Sequence, residues 1–385
     1  MELGELNIHI GDGNYSSKYP KNSEFLEEGV PFISASDFQG RVFIADVMKH
    51  ISEEQHSVLL KGHLKPRDIL VVVRGNGCGK VGFVPAEYDN ANINAQLALL
   101  RCDNQTVNSE YLYYLLSTNE YQNKLKALCS GSAQPQLPIK SLKKLQLELP
   151  KYEMQLKIAG VAKLIDDKML NNAAINRNLS EQAVAIYREL ILDATEDCSE
   201  GILSDVADII MGQSPKGDTY NENGEGAVFY QGRAEFGDRF PTRRLFTTDP
   251  KRMAKENSVL MSVRAPVGDV NVAYEECCIG RGLCSVASKD NHQSFVLYTM
   301  YSLKEQFDVY NGEGTVFGSI NKDSMNGMAI QIPNKSLMDK FEEIVSPMDA
   351  IIKANYEENC RLIAMRDSLL PKLMSGELDV SDLDI

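Results

Sequence analysis

The chain has 385 residues, of which 43% are hydrophobic, and this length is sufficient for two or three packed domains. We find no apolar run long enough to cross a membrane and no basic segment followed by an apolar stretch, as in a signal peptide. We therefore expect a soluble, cytoplasmic protein with no membrane partner. None of its eight cysteines forms a C-x-x-C pair, which favours reduced, mostly buried thiols.

The formal net charge of -14 argues against nucleic-acid binding when the chain is taken as a whole, because phosphate contacts need Lys and Arg. However, residues 231–264 contain eight basic and four acidic side chains, whereas residues 339–385 contain five basic and eleven acidic ones. A chain that is acidic overall can therefore present a basic face to DNA. The basic cluster by itself also fits an ordinary solvated surface.

An internal repeat organises the chain. Sliding the sequence by 183 residues superposes Gly131 on Gly314, Ser141 on Ser324 and Pro150 on Pro333. Upstream of these positions the separation between equivalent residues of the two copies changes, so that the apolar run 69–74 corresponds to 259–264. Each of these runs ends in Arg before a Gly-rich turn. The repeat predicts two copies of a β-rich globule followed by a long helix, with short helices at 52–61, 109–128 and 293–308.

Both long helices carry a heptad seam. In the first helix the seam residues are Ile158, Ala162, Ile165, Met169, Asn172, Asn176, Leu179, Ala183, Ile186 and Leu190. In the second they are the same positions shifted by 183, from Phe341 to Leu373. The two seams place Asn at equivalent positions, so that Asn172 corresponds to Asn355 and Asn176 to Asn359.

These four asparagines predict an antiparallel coiled coil with a fixed register. In an antiparallel pair the middles of the two seams meet, and the amides can bond one another. A shifted register would bury each amide against apolar side chains at a cost of about 1–3 kcal/mol. Replacing Asn172 and Asn355 together by Leu should therefore raise thermal stability and loosen the register. The alternative is that each amphipathic helix packs on its own globule.

Antiparallel pairing would place the globules at opposite ends of a rod of about 50 Å, related by a pseudo-twofold axis. This symmetry suits a reader of two DNA half-sites. Because the globules differ in sequence, the half-sites should differ too.

Several segments in fixed order resemble the specificity subunits of type I restriction-modification systems over nearly the whole chain. In the second globule these segments are 211–221, 229–232, 260–271 and 278–283. In the first globule, 11–20 and 131–137 are similar to another variant of the same domain, and 366–378 resembles the end of the family's second helix.

The resemblance implies an α+β fold with two target-recognition domains, each a mostly antiparallel, curved sheet with short helices, separated by two long helices paired as an antiparallel coiled coil. The implied boundaries are 1–152 and 198–335 for the recognition domains, 153–197 and 336–375 for the helical regions, and 376–385 for an acidic tail. It also implies an asymmetric, bipartite site in double-stranded DNA. The implied partners are two modification subunits that methylate adenine and restriction subunits, so that S-adenosylmethionine, ATP and Mg are expected on those partners.

Side chains that can reach base edges or phosphates are the candidate DNA contacts. In the first globule they are Tyr15, Ser17, Lys18, Arg74, Asn76, Lys80, Gln134 and Gln136. In the second they are Ser214, Lys216, Tyr220, Gln231, Arg233, Arg243, Arg244, Arg264 and Arg281. Arg74 and Arg264 could instead anchor loops on buried carboxylates.

We find no catalytic constellation. The segment 75–81 lacks the Ser or Thr that follows Lys in a phosphate-binding loop, Asp166-Asp167-Lys168 fits a solvated helix face, and the cysteines lack metal-ligand spacing. No adenine methyltransferase or nuclease motif is present. We therefore expect a non-catalytic reader without a cofactor or metal; the alternatives are an enzyme with an unrecognised site and a coiled-coil adaptor that binds only protein.

Overall fold

The structure, a computed structural model, describes residues 1–13, 18–45, 48–131, 134–193, 197–311 and 318–383. The chain divides into two compact units: unit 1 comprises Met1–Asn171 and Glu358–Ile385, and unit 2 comprises Asn172–Glu357. Each unit combines β-sheets, short helices and part of each of two long helices, which is the α+β architecture expected from the sequence.

Unit 1 begins with alternating short strands and turns. Its elements before the first long helix are β1 (Ile8–Asp12), β2 (Val30–Ile33), β3 (Phe38–Gln39), β4 (Val42–Phe43), β5 (Lys49–Ile51), α1 (Glu53–Val58), β6 (Ile69–Val72), β7 (Val81–Phe83), β8 (Asn92–Ile93), β9 (Leu97–Cys102), α2 (Ser109–Ser117), α3 (Asn119–Ala127) and α4 (Ile139–Leu142). The long helix α5 covers Tyr152–Tyr187 and continues into a π-helical turn at Arg188–Leu192.

The main sheet of unit 1 is antiparallel, in the order β1-β9-β6-β7. All four residues of β6 are buried, which fits its unbroken apolar sequence. A second sheet, β5-β2-β8, contains one parallel pair, β2 with β8, beside an antiparallel one. The sheets are thus mostly antiparallel, as predicted.

Unit 2 repeats this order. Its elements are β10 (Cys198–Ile202), α6 (Leu203–Val206), β11 (Ala207–Met211), β12 (Tyr220–Asn221), β13 (Ala227–Tyr230), β14 (Phe246–Thr247), β15 (Met253–Ala254), β16 (Val259–Ser262), β17 (Val270–Val272), β18 (Cys277–Ile279), β19 (Leu283–Ser288), α7 (Gln293–Ser302), α8 (Lys304–Asp308), α9 (Lys322–Asn326), β20 (Ala329–Pro333) and the long helix α10 (Lys335–Met374).

The main sheet of unit 2 matches that of unit 1 strand for strand, and the second sheets share one parallel pair. The antiparallel order β11-β19-β16-β17 corresponds to β1-β9-β6-β7, and the parallel pair β13 with β18 corresponds to β2 with β8. The strands also pair in a comparable register, since Met261 faces Cys284 in unit 2 and Val71 faces Ala98 in unit 1. The repeat seen in the sequence is therefore a repeat of the fold.

Some helix bounds differ from those predicted. The single helix expected at 109–128 is two helices, because Thr118 adopts an extended backbone and its hydroxyl caps α3 by accepting from the Tyr121 N–H. The helix expected at 293–308 is likewise divided into α7 and α8, and the one expected at 52–61 is limited to Glu53–Val58.

Within each unit the long helices run antiparallel. In unit 1 the Asn359 side chain donates to the Met169 carbonyl (3.3 Å), and Lys168 pairs with Glu358 (3.0 Å). In unit 2 the Asn355 side chain donates to Asn176 Oδ1 (2.8 Å). The seam residues nearest the globules are buried in the unit cores; they include Ile158 and Ala162 in unit 1, and Ala183, Phe341 and Val345 in unit 2.

The interpretation of Asp166-Asp167-Lys168 as a solvated face is wrong for Asp166. Asp166 is buried, and its carboxylate accepts from the Tyr114 hydroxyl (2.9 Å) and from Arg366 (3.1 Å). Asp167 and Lys168 remain accessible. A buried carboxylate needs such partners because its desolvation would otherwise be costly.

The last described residues pack on unit 1. Val380 is buried in the unit 1 core, and Lys157 donates to the Ser381 carbonyl. The described residues contain no helix that combines the length and the apolar character needed to cross a membrane.

Candidate nucleic-acid interface

Three backbone segments of unit 2 meet without intervening side chains. A Cβ on Gly212 would lie 2.1 Å from the Gly280 carbonyl oxygen, and a Cβ on Gly282 would lie 2.8 Å from that of Gln231. The segments are joined by bonds from the Gly280 N–H to the Tyr230 carbonyl (2.8 Å) and from the Gly282 N–H to the Gln231 carbonyl (3.3 Å). At position 212 only glycine permits this close approach. We call the three segments 212–216, 231–233 and 280–282, together with the adjoining segment 263–265, the unit 2 loop cluster.

Candidate side chains surround this glycine junction. Lys216, Gln231 and Arg281 are exposed, and the Ser214 hydroxyl accepts from the Arg281 N–H (3.2 Å). Tyr220 packs on Phe229 with ring centroids 4.9 Å apart, and its hydroxyl donates to the Pro215 carbonyl (3.0 Å). Ser214 and Tyr220 thus hold the backbone, whereas the other three side chains are available to a ligand.

Arg264 belongs to the same cluster. The Val263 N–H donates to the Gly282 carbonyl (2.9 Å), and the Ala265 N–H donates to the Gly318 carbonyl (3.0 Å). The Arg264 side chain is exposed, and no carboxylate among the described residues pairs with it. The geometry therefore favours a surface cation over the alternative of a buried anchor.

Unit 1 builds the same backbone frame. A Cβ on Gly13 would lie 2.0 Å from the Asn94 carbonyl oxygen. The Asn94 N–H donates to the Ile33 carbonyl (2.8 Å), and the Val73 N–H donates to the Gln96 carbonyl (2.8 Å). These bonds are the counterparts of those made by Gly280 and Val263 in unit 2. We call Gly13 and the segments 33–36, 73–76, 94–96 and 134–137 the unit 1 loop cluster.

Four predicted contacts of unit 1 lie on two adjoining loops. The Gly75 N–H donates to the Pro135 carbonyl and the Leu137 N–H to the Val73 carbonyl, each at 2.9 Å. These bonds bring together four exposed side chains: Arg74, Asn76, Gln134 and Gln136.

The remaining unit 1 candidates are placed differently. Lys18 is exposed, and its carbonyl accepts from the Gln55 side chain (2.5 Å). Tyr15 and Ser17 lie outside the described residues. The Lys80 ammonium donates to the carbonyls of Ala35 (3.3 Å) and Phe38, and burial lowers its pKa. In this arrangement Lys80 supports the loop rather than facing a phosphate.

A comparison with known protein families identifies the family of this chain. The family profile described as "Type I restriction modification DNA specificity domain" matches residues 8–181 and 196–362. The chain belongs to this type I restriction-modification specificity family. The two matched segments correspond to the two copies of the repeat, and the role of the chain is DNA sequence recognition as a specificity subunit.

Relatives of this specificity subunit match most of this chain and most of their own length. It is 29% identical over 363 residues to the putative type I restriction enzyme MjaX specificity subunit of Methanocaldococcus jannaschii, covering 88% of this chain and 80% of that protein. It is 22% identical to the type I restriction enzyme HindI specificity subunit of Haemophilus influenzae, covering 98% of each. The crystal structure of a type I restriction-modification S subunit from M. genitalium shares the fold, with a TM-score of 0.59, 17% identity, and coverage of 97% of this chain and 95% of that one.

Much of the basic cluster in unit 2 of this specificity subunit is already paired with acids. Arg233 pairs with Asp269 and Arg243 with Glu275. Arg244 pairs with Glu235 (2.5 Å) and Glu222 (3.5 Å), and the Glu235 carboxylate raises its pKa. Arg233 and Arg243 are exposed, so their ion pairs are weak and can exchange for phosphates, whereas Arg244 is held by the buried Glu235 carboxylate. Lys216, Arg264 and Arg281 are exposed and have no carboxylate partner among the described residues.

Sequence reasoning missed Gln96 as a candidate. Its side chain is exposed in the turn 94–96, the counterpart of 280–282, and its N–H donates to Asn94 Oδ1 (2.9 Å). Ser34 and Ser36 were also missed; they follow β2 as Gln231 and Arg233 follow β13. Aligning the two copies of the repeat segment by segment could have identified these three residues, because the turns between equivalent strands occupy equivalent positions. No group of His, Cys, Asp or Glu side chains among the described residues is arranged as a metal site.

Proposed function

We propose that this specificity subunit reads an asymmetric, bipartite sequence in duplex DNA, with one half-site bound by the loop cluster of each unit. The observation that carries the proposal is that one backbone frame recurs in both units with different side chains. Arg281 stands where unit 1 has Ala95, and Gln231 stands where unit 1 has Ser34. Because Arg and Gln read bases that Ala and Ser cannot bind in a bidentate way, the two half-sites should differ.

The mechanism follows from ordinary duplex recognition. Exposed cations such as Lys216 and Arg264 would neutralise phosphates and set the register, and Gln231 and Arg281 would donate to base edges in unit 2. In unit 1, Gln96, Gln134 and Gln136 would take the corresponding role. Since phosphate binding releases counterions, we expect affinity to fall steeply with salt.

The paired helices are proposed to dock two modification subunits. Apolar side chains are exposed on the helices in both units, which fits a surface that is covered in a complex. In unit 1 these side chains are Leu156, Leu164, Leu170, Ile363 and Met365, and in unit 2 they are Ile175, Val184, Ile344 and Ile351. The subunit itself is proposed to be non-catalytic and to bind no cofactor. Methyl transfer with S-adenosylmethionine, and cleavage with ATP and Mg, are assigned to the modification and restriction subunits.

Sequencing the methylated bases of a host with and without this gene tests the proposal directly. We expect adenine methylation at one split motif to disappear with the gene. Exchanging the bases of one half-site should then change the effect of substitutions in the unit that binds this half-site. It should not change the effect of substitutions in the other unit. Methylation that does not depend on the gene, or a continuous motif, would contradict the proposal.

Two simpler experiments separate the alternatives. A gel shift of motif DNA, with and without modification subunits, distinguishes a DNA reader from an adaptor that binds only protein. Binding of S-adenosylmethionine by the isolated chain would favour the enzyme alternative; we expect no binding.

A further inference from the structure

Two thiols of unit 1 face each other beneath the loop cluster. Cys129 Sγ lies 3.0 Å from Cys78 Sγ. All eight cysteines are free, so both are thiols in this structure. A disulfide needs an S–S separation of about 2.0 Å, and a movement of about 1 Å therefore separates this pair from a covalent bond.

The surroundings of the two thiols give them different chemical roles. Cys129 is partly exposed after α3, and its thiol donates to the Leu125 carbonyl (3.4 Å). Cys78 is buried, and burial raises the pKa of its thiol to about 12. Because oxidants attack accessible thiols first, Cys129 is the sulfur that meets an oxidant and Cys78 is the one that resolves the product.

We propose that Cys78 and Cys129 are a reversible redox modification site that controls the shape of the unit 1 loop cluster. Hydrogen peroxide is the oxidant. The Cys129 sulfur attacks one peroxide oxygen, the O–O bond breaks, and the leaving hydroxide takes the thiol proton to become water. Cys78 sulfur then attacks the Cys129 sulfenic acid, the S–O bond breaks, and the hydroxide released takes the Cys78 proton. The products are one disulfide and two waters, and a dithiol reductant restores both thiols.

The position of the pair links this chemistry to DNA reading; this part of the inference rests on the proposed function. Cys78 lies two residues after Asn76, and Cys129 precedes Ser130, whose N–H and carbonyl pair with those of Gln136 at 2.8 Å. A disulfide would pull both loops toward each other and displace the side chains that they carry. The oxidised subunit should therefore bind the first half-site less tightly, and the second half-site unchanged.

Peptide mapping tests the bond without reference to DNA. We would treat the full chain with hydrogen peroxide, block free thiols, and digest with trypsin. The expected product is residues 75–80 linked to residues 127–140, two hydrogens lighter than the separate peptides and split by dithiothreitol. Cys129→Ser and Cys78→Ser should each abolish it. Cys198→Ser is a matched control and should retain it, because Cys198 is also half-buried with a carbonyl acceptor, that of Ile191.

Binding to motif DNA, with each half-site scrambled in turn, tests the consequence. Oxidation should weaken binding to DNA that retains the first half-site at least about fivefold, the loss of one good base contact. Dithiothreitol should restore it, and Cys129→Ser should not respond. Absence of the linked peptide overturns the proposal even if DNA binding is normal. A linked peptide with unchanged affinity overturns the regulatory role, whereas failure of reduced protein to bind either half-site would count against the proposed function instead.

Discussion

The Tyr298 hydroxyl donates to Asp349 Oδ1 at 3.0 Å, which ties the globule of unit 2 to α10. The same bond exists in unit 1, where Tyr114 donates to Asp166 on α5 at 2.9 Å. The two carboxylates are 183 residues apart, the offset of the repeat. Each tyrosine also has an arginine near its ring, Arg239 in unit 2 (5.6 Å) and Arg41 in unit 1 (5.9 Å). Each recognition unit is thus fixed to a long helix by the same polar contact.

Removing this contact should destabilise unit 1. Tyr114→Phe leaves the buried Asp166 carboxylate without one donor and should lower the free energy of unfolding by about 1.5–3 kcal/mol. Tyr111→Phe is the matched control, because Tyr111 is equally buried on α2 and its hydroxyl has no partner among the described residues. Loss of the Tyr111 hydroxyl should leave the free energy of unfolding unchanged or raise it. Urea denaturation followed by circular dichroism measures both, and equal losses would contradict the assigned role of the bond.

The amide pair of unit 2 should behave as a coupled pair. Asn355→Leu alone removes the donor to Asn176 Oδ1 and should cost about 1–2 kcal/mol. The double variant Asn176→Leu/Asn355→Leu removes both members of this bonded pair, so we expect it to recover that loss. A double-mutant cycle of melting curves should show a coupling energy above about 0.5 kcal/mol. Additive losses would mean that the amides do not interact.

Arg264 should matter for one half-site. Arg264→Ala removes a proposed phosphate contact of unit 2, so it is expected to weaken binding at the second half-site by about 1.5–3 kcal/mol and to leave binding at the first half-site unchanged. Arg243→Ala is the control, since Arg243 is exposed but paired with Glu275, and its loss should cost less. Fluorescence anisotropy at several salt concentrations provides the measurement. Equal loss at both half-sites would indicate a folding defect.

The C-terminal segment should contribute to unit 1 stability. Val380→Ala removes two buried methyl groups and should cost about 1.5–2 kcal/mol. Leu378→Ala is a suitable comparison because Leu378 is 38% exposed, whereas Val380 is 5% exposed. We expect proteolysis near residue 375 to accelerate in the first variant only. Unchanged proteolysis of both would show that the segment does not stabilise the core.

The sequence was sufficient to predict the repeat from its spaced matches, and the antiparallel long helices from their heptad seams and matching asparagines. The mostly antiparallel sheets were expected from the family resemblance. The candidate contacts named from the sequence include Arg74 and Gln136, which the structure places on adjoining loops. The sequence did not predict that Asp166 is buried, because its partners Tyr114 and Arg366 are distant in sequence. The pairing of Arg233 with Asp269 and the inward turn of Lys80 depend on similar long-range contacts.

The close approach at Gly212 and at its unit 1 counterpart Gly13 also constrains how the target of this protein can change over evolution. A side chain at either position would collide with main-chain atoms of the neighbouring turn. The turn itself accepts different residues, since Gly280 and Gly282 in unit 2 correspond to Asn94 and Gln96 in unit 1. If the loop clusters read DNA as proposed, a new preference can arise through substitutions in this turn, while the two glycines keep the supporting backbone the same.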